Sequence, residues 1–279
     1  MRRVRTVAEL RTAVKAPRRA GRVGFVPTMG ALHEGHAALM ALARAECEHV
    51  VASIFVNPAQ FNDPADLAAY PRPDDRDAQI AADAGVDVLF VPDSDEVYRP
   101  DHATAVHVAG PAEGLEGRSR SGHFDGVALV CLKLFAMVQP DVAYFGQKDA
   151  QQVAVIRQLV RDLNLPLDVR VVPTVRDHDG LALSSRNARL SAEERAMALA
   201  VPRALLAGLE AHRRGADAAV AARQALDGVA LEYAAVVDFN GQPTLLVAAV
   251  VGRTRLIDNV PLEHPELAGF SDRAMSEDL

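Results

Sequence analysis

The stretch Arg22–Glu48, RVGFVPTMGALHEGHAALMALARAECE, carries the reading on which the fold turns. Val23–Pro27 is a nearly unbroken apolar run, as a strand covered on both faces requires. From His36 onward apolar residues recur at helical spacing. Between the two lies a loop with Gly30, Gly35 and the histidines His33 and His36. A strand that runs through a glycine-bearing loop into a helix is the building unit of a parallel α/β sheet.

The same unit recurs. HVVASIFVN (49–57), VDVLFVP (86–92), DVAYFG (141–146) and LDVRVVPTV (167–175) read as further buried strands. DDRDAQIAADAG, GVALVCLKLFAMV and DAQQVAVIRQLVRDL read as the helices between them. Such alternation predicts a doubly wound parallel sheet over residues 1–175, with ligands bound where strand carboxyl ends run into helices. Beyond residue 175 the character changes. Ser191 and Glu194 form a capping box that opens a long Ala- and Leu-rich helix. A second Ala-rich helix follows, then the strand EYAAVVDF and the strand TLLVAAVVGRTRLIDNV. Residues 176–279 are thus expected to form a smaller α+β domain covering the active site, with a frayed polar end, HPELAGFSDRAMSEDL.

Composition narrows the function. The 279 residues are 49% hydrophobic and 24% charged, the profile of an ordinary soluble domain. A net charge of −7 implies no general polyanion-binding surface, so phosphate recognition must come from a local cationic cluster. The start, MRRVRTVAELRTAVK, is basic but lacks the apolar centre of a signal peptide. No apolar run reaches the length of about 18 residues that spans a membrane. Cys47 and Cys131 stand apart from any other thiol or metal-ligand spacing and read as buried free thiols of a reducing cytosol.

Five motifs sit after the expected strands. In PTMGALHEGH (27–36) the glycine loop and helix start offer backbone N–H groups to an anion. His33 and His36, three apart, share a side; they either cap the helix or contact phosphate, and either one can donate a proton. The spacing is not that of a zinc site. Gln60, after Asn57-Pro58, suits a substrate hydroxyl or a turn cap. Asp74, Asp75 and Asp77 favour a helix amino terminus, with Asp77 a candidate magnesium ligand. GRSRSGHFDG (117–126) places Arg118, Arg120 and His123 in a cationic loop, either solvated or a lid. YFGQKDAQQ (144–152) puts Lys148 beside a helix start, where a cation calls for a bound anion, with Asp149 as its partner and Gln152 one turn on. GLALSSRN (180–187) offers Ser184, Ser185 and Arg186 to phosphate oxygens. There is no Gly-x-Gly-x-x-Gly after the first strand and no P-loop.

Taken together, PTMGALHEGH, IFVNPAQF, YPR, GHFDGV, FGQKDAQQ and LSSRN resemble the pantoate–β-alanine ligase family in order and spacing, and the His-x-Gly-His element is shared with the wider adenylyl-transferring superfamily. The resemblance implies a Rossmann-like fold and a cytoplasmic homodimer. It also implies a two-step reaction. Pantoate's carboxylate attacks the α-phosphate of ATP, giving pantoyl adenylate and pyrophosphate, and β-alanine's amine then displaces AMP. It assigns ATP binding to Met29, Gly30, Ala31, Leu32, His33, Glu34, Gly35 and His36. Gly146, Gln147, Lys148, Asp149, Val175, Leu183, Ser184, Ser185 and Arg186 join them. His36 becomes the proton donor, supported by His33, Lys148 and Arg186. Gln60 and Gln152 become pantoate ligands, with Gln60 also beside β-alanine, and Mg²⁺ accompanies ATP mainly on its phosphates. Gln147 stands where Glu is frequent, and Ala59 where Met is frequent. A nucleotidyltransferase acting on another small acid or on a phosphorylated cofactor precursor is the competing enzyme reading, but such enzymes are typically shorter. A tRNA synthetase is disfavoured by length and acidity, and a decayed nucleotide sensor by the presence of every expected catalytic residue.

Overall fold

The computed structural model describes residues 1–270. The chain divides into two units, Met1–Phe145 with Gln151–Val172, and Gly146–Ala150 with Pro173 onward. The first is built on six strands: β1 (Arg2–Val4), β2 (Val23–Thr28), β3 (His49–Ile54), β4 (Val88–Phe90), β5 (Val142–Gly146) and β6 (Asp168–Val172). Their order is β1-β4-β3-β2-β5-β6, and β1–β4, β4–β3, β3–β2 and β2–β5 pair in parallel. Its helices are α1 (Val7–Lys15), α2 (Pro17–Ala20), α3 (Glu34–Glu46), α4 (Pro64–Ala68), α5 (Asp74–Asp83), α6 (Ser94–Val97), α7 (Leu115–Ser119), α8 (His123–Val138) and α9 (Ala150–Asp162).

The unbroken apolar strands are explained by cores on both faces of this sheet. Phe25, Val51, Phe90 and Ala143 point into one, with Leu10 of α1 and Leu134 of α8. Val26, Val50, Leu89 and Tyr144 point into the other, with Met40 of α3 and Ala81 of α5. Each fully buried Leu, Val or Phe contributes on the order of 1.5–3 kcal/mol. Strand order reverses between β2 and β5, which is where an open α/β sheet leaves a crevice at its carboxyl edge. β1 was not expected. Only Val4 of its three residues is buried, so it leaves no periodic signal in the sequence.

The second unit holds α10 (Ala192–Ala198), α11 (Ala200–Arg213) and α12 (Ala218–Ala225). Its antiparallel sheet has the order β7 (Ala230–Asp238), β8 (Pro243–Val251), β9 (Thr254–Pro261). Two expectations are corrected here. The run TLLVAAVVGRTRLIDNV is a hairpin rather than one strand, turning at Gly252 with φ +59°. The helix opened by the Ser191–Glu194 capping box stops at Ala198, and α11 starts two residues later. Pro202 has no N–H to give the Ala198 carbonyl, so one continuous helix cannot pass; within the first turn of α11 the same proline costs little. The end expected to fray is anchored as far as it is described: Ala268 and Phe270 are buried, and Phe270 lies 3.8 Å beneath the Arg176 guanidinium. Residues 271–279 of that segment lie outside the described residues. No helix among the described residues is long and apolar enough to cross a membrane.

Candidate active site

After β2 the chain makes a tight loop before α3. Thr28 Oγ1 donates to the Ser53 carbonyl at 2.7 Å and accepts from Gly30 N–H at 3.2 Å. Gly30 and Ala31 then take left-handed φ values of +82° and +50°. A Cβ on Gly30 would stand 2.9 Å from Asp77 Oδ2, so glycine is required for space as well as conformation. Asp77 from α5 holds the turn: its oxygens accept from Ala31 N–H at 2.7 Å and Leu32 N–H at 2.8 Å. This carboxylate is 1% exposed, and burial pushes its pKa up while the two backbone N–H groups pull it down. Asp77 therefore anchors the loop, with both oxygens already engaged. Two of the backbone N–H groups that the sequence offered to an anion are spent on it.

The two histidines cap α3 reciprocally. Gly35 N–H donates to His33 Nδ1 at 3.1 Å, and His33 N–H donates to His36 Nδ1 at 3.3 Å. The rings lie 4.2 Å apart, tilted by 51°. An imidazole whose Nδ1 accepts carries its proton on Nε2. The capping arrangement thus fixes both rings in the tautomer that presents an Nε2–H donor, and capping and phosphate recognition are compatible uses of one pair.

Gln60 ends a 3₁₀ turn (Pro58–Gln60) that follows β3, the neighbour of β2. Asn57 organises the turn. Its Oδ1 accepts from Ala59 N–H at 3.2 Å and from the Tyr98 hydroxyl at 2.8 Å. Its Nδ2 donates to Gln60 Oε1 at 3.0 Å and to the Gly126 carbonyl at 3.1 Å. Gln60 Oε1 is thereby occupied, and its amide presents N–H. The turn sits directly on α8: a Cβ on Gly126 would fall 2.3 Å from the Ala59 carbonyl oxygen. His123 Nδ1 meets the Gln60 carbonyl at 2.8 Å, and its Nε2 meets Arg120 at 3.2 Å. Arginine only donates, so Nε2 accepts and Nδ1 carries the proton. The stretch read as a cationic loop is the end of α7, a short turn over Arg120–Gly122 and the start of α8, with His123 buried, Arg120 half-buried and Arg118 exposed.

Gln152 is half-buried in the first turn of α9. Its neighbour Gln151, which the sequence did not single out, is buried and ties down the chain before α7. It accepts from Glu116 N–H at 3.1 Å and donates to the Pro111 carbonyl at 3.0 Å.

In the second unit, Gln147–Asp149 forms a 3₁₀ turn after Gly146. Lys148 Nζ lies 3.3 Å from Asp149 Oδ1. The turn hangs on Asn259 of β9, a residue the sequence reading missed. Asn259 Nδ2 donates to the Gln147 and Lys148 carbonyls, each at 2.9 Å, and its Oδ1 accepts from Gln147 Nε2 at 2.9 Å. Gln147 at the position where Glu is frequent is thus a donor matched to an acceptor. Beside Asn259, Asp258 receives a two-pronged ion pair from Arg176 at 2.7 and 3.1 Å, with side chains 2% and 4% exposed. The loop Leu183–Arg186 returns beside Val175, whose carbonyl accepts from Leu183 N–H at 2.9 Å. Ser184 Oγ accepts from Arg186 N–H at 3.3 Å. The 3₁₀ turns Gln147–Asp149 and Ser185–Arg189 both pack against β9. An alternating-pattern reading finds Asn259 only as one polar residue in LIDNV, with nothing to mark its partners.

Among the described residues no group of three or more His, Cys, Asp or Glu side chains is placed to hold a metal ion. Cys47 and Cys131 are buried free thiols, and burial pushes the Cys131 thiol up to about 12.

Comparisons with known proteins place the chain in a family. The sequence profile of the family described as "Pantoate-beta-alanine ligase" matches residues 2–261. The pantothenate synthetase of Cereibacter sphaeroides is 50% identical over 275 residues, 93% of this chain and 99% of that protein. The crystal structure of pantothenate synthetase from Thermus thermophilus superposes with a TM-score of 0.89 at 47% identity, covering 94% of this chain and 99% of the other. A Francisella tularensis pantoate-beta-alanine ligase, complexed with beta-gamma ATP and beta-alanine, gives 0.83 at 35% identity, covering 94% and 98%. This chain belongs to the pantoate–β-alanine ligase family.

Proposed function

We propose that ATP is bound by Met29–His36, Gly146–Asp149, Val175 and Leu183–Arg186, and that pantoate is held by Gln60 and Gln152 with β-alanine entering beside Gln60. The chain is a pantoate–β-alanine ligase and consumes ATP. The route we infer has two steps. The pantoate carboxylate attacks the α-phosphate, releasing pyrophosphate, and the β-alanine amine then attacks the acyl carbon, releasing AMP. Such a transfer asks the protein for positive charge and positioning rather than for a covalent intermediate on a side chain.

The observation that carries this reading is the reciprocal histidine cap. Because Nδ1 of both rings is committed to backbone N–H groups, His33 and His36 present Nε2–H donors beside the carboxyl end of β2. His36 is assigned as proton donor to the phosphates, and Lys148 and Arg186 neutralise charge that grows on the departing pyrophosphate. Gln60, with Oε1 held by Asn57, offers its amide N–H to pantoate oxygen. Mg²⁺ fits as an ion carried by the triphosphate: the described residues form no acidic cage for it, and Asp77 is occupied as the loop anchor. A homodimer and a cytoplasmic location complete the proposal. Light scattering tests the former, with a mass near twice the chain's 29.8 kDa expected.

The deciding experiment for the reaction is AMP release. It is expected only when ATP, Mg²⁺, pantoate and β-alanine are all present, and AMP formed without pantoate overturns the assignment.

A further inference from the structure

The basic amino-terminal stretch is the sequence feature that the ligase reaction leaves unused, and its cations separate in the fold. Arg3, Arg5 and Arg22 face Asp74, Asp93 and Asp168 at 3.5, 3.9 and 3.6 Å. Arg11, Lys15, Arg18 and Arg19, from α1 and α2, instead line one concave pocket of about 460 Å³. Among the described residues no carboxylate stands in its walls. Val14 and Met137 supply an apolar side, and Gln139, closing α8, accepts from the Arg18 guanidinium.

Helix ends account for part of this. Lys15 lies in the last turn of α1, and Arg18 and Arg19 in that of α2, where the backbone dipole favours a cation. That preference is satisfied by side chains spread into solvent. It does not call for four like charges around a single cavity, where they repel one another and concentrate positive potential on a chain of net charge −7. An anion relieves that repulsion. Guanidinium forks and an ammonium match phosphate oxygens, and the volume falls within the range of small-molecule pockets.

We propose that this pocket binds a small polyphosphorylated metabolite at a site separate from the substrates. The separation follows from topology. α2 leads into the amino end of β2 and α8 into the amino end of β5, whereas the histidine loop and the Gln60 turn follow the carboxyl ends of β2 and β3. The pocket therefore lies at the opposite edge of the parallel sheet from those loops. A ligand there does not compete with pantoate or ATP.

Calorimetric titration with inorganic tripolyphosphate tests this, using Lys148→Ala as the parent so that the ATP-site phosphate contact is weakened. A second protein adds Arg11→Gln, Lys15→Gln, Arg18→Gln and Arg19→Gln. All four residues are exposed, so both proteins are expected to fold alike, which circular dichroism checks. The parent is expected to bind tripolyphosphate, more weakly as salt is raised, and the four glutamines to weaken binding at least tenfold. Equal binding by the two proteins overturns the proposal, as does a parent that binds nothing at millimolar tripolyphosphate.

Discussion

Asn259→Ala is the substitution whose consequences the structure specifies most fully. Asn259 is 1% exposed and makes three side-chain hydrogen bonds to the Gln147–Asp149 turn, each 2.9 Å long. Truncation removes the Asn259 partner of the Gln147 amide and of two backbone carbonyls, in a setting that is buried at Gln147 and part-buried at Lys148. A buried polar group left unpaired costs about 1–3 kcal/mol. Three groups that share one small void, which a water can enter, are not additive, so a net loss of about 3 kcal/mol is expected. Guanidinium denaturation at constant m should report it as a lower midpoint. The same change frees the turn that positions Lys148, so kcat/KM for ATP should fall about 100-fold, equivalent to ~2.7 kcal/mol of transition-state binding. Asn259→Ser, which keeps one hydroxyl, should recover part of both losses. An Asn259→Ala protein within about 0.5 kcal/mol of the parent, with ATP kinetics unchanged, would refute the idea that β9 holds this turn.

Asp77→Asn keeps the size of the loop anchor but sets an amide N–H against a backbone N–H, so KM for ATP should rise about tenfold in steady-state assays, with the KM for β-alanine unmoved. Burial raises the Asp77 pKa, so the folded chain keeps a proton that the unfolded chain has already lost; the stability contribution of this group falls as pH rises from the ordinary carboxylate range through the raised value, and Asp77→Asn should flatten that part of a stability–pH curve. Gly126→Ala drives a methyl into the Ala59 carbonyl and displaces the Gln60 turn, so KM for pantoate should rise more than KM for ATP, with about 1–3 kcal/mol of stability lost on thermal unfolding.

The features that repeat were legible in the sequence. Phe25 and Val26 sit in cores on opposite faces of one sheet, which is why β2 reads as a continuous apolar run, and the Ser191–Glu194 cap is a purely local interaction. The positions of the histidine loop and of the turns that carry Gln60 and Lys148 were legible because each follows a strand, β2, β3 and β5. What could not be read is long-range pairing. Asp77 reaches back 46 residues to Ala31, and Asn259 reaches back 111 residues to Lys148. Nothing local in the sequence marks either pairing. The β8–β9 hairpin was hidden for a different reason: both arms are apolar, and the turn at Gly252 breaks the run by only two residues.

In the proposed function, His36 and Lys148 both serve the triphosphate while pantoate is activated. Pantoate-dependent exchange of labelled pyrophosphate into ATP, with Mg²⁺ present and β-alanine omitted, tests it directly. Exchange is expected in the parent enzyme, and its loss, by at least about 100-fold, in both His36→Ala and Lys148→Ala. Exchange without pantoate, or exchange that either substitution leaves intact, would contradict it.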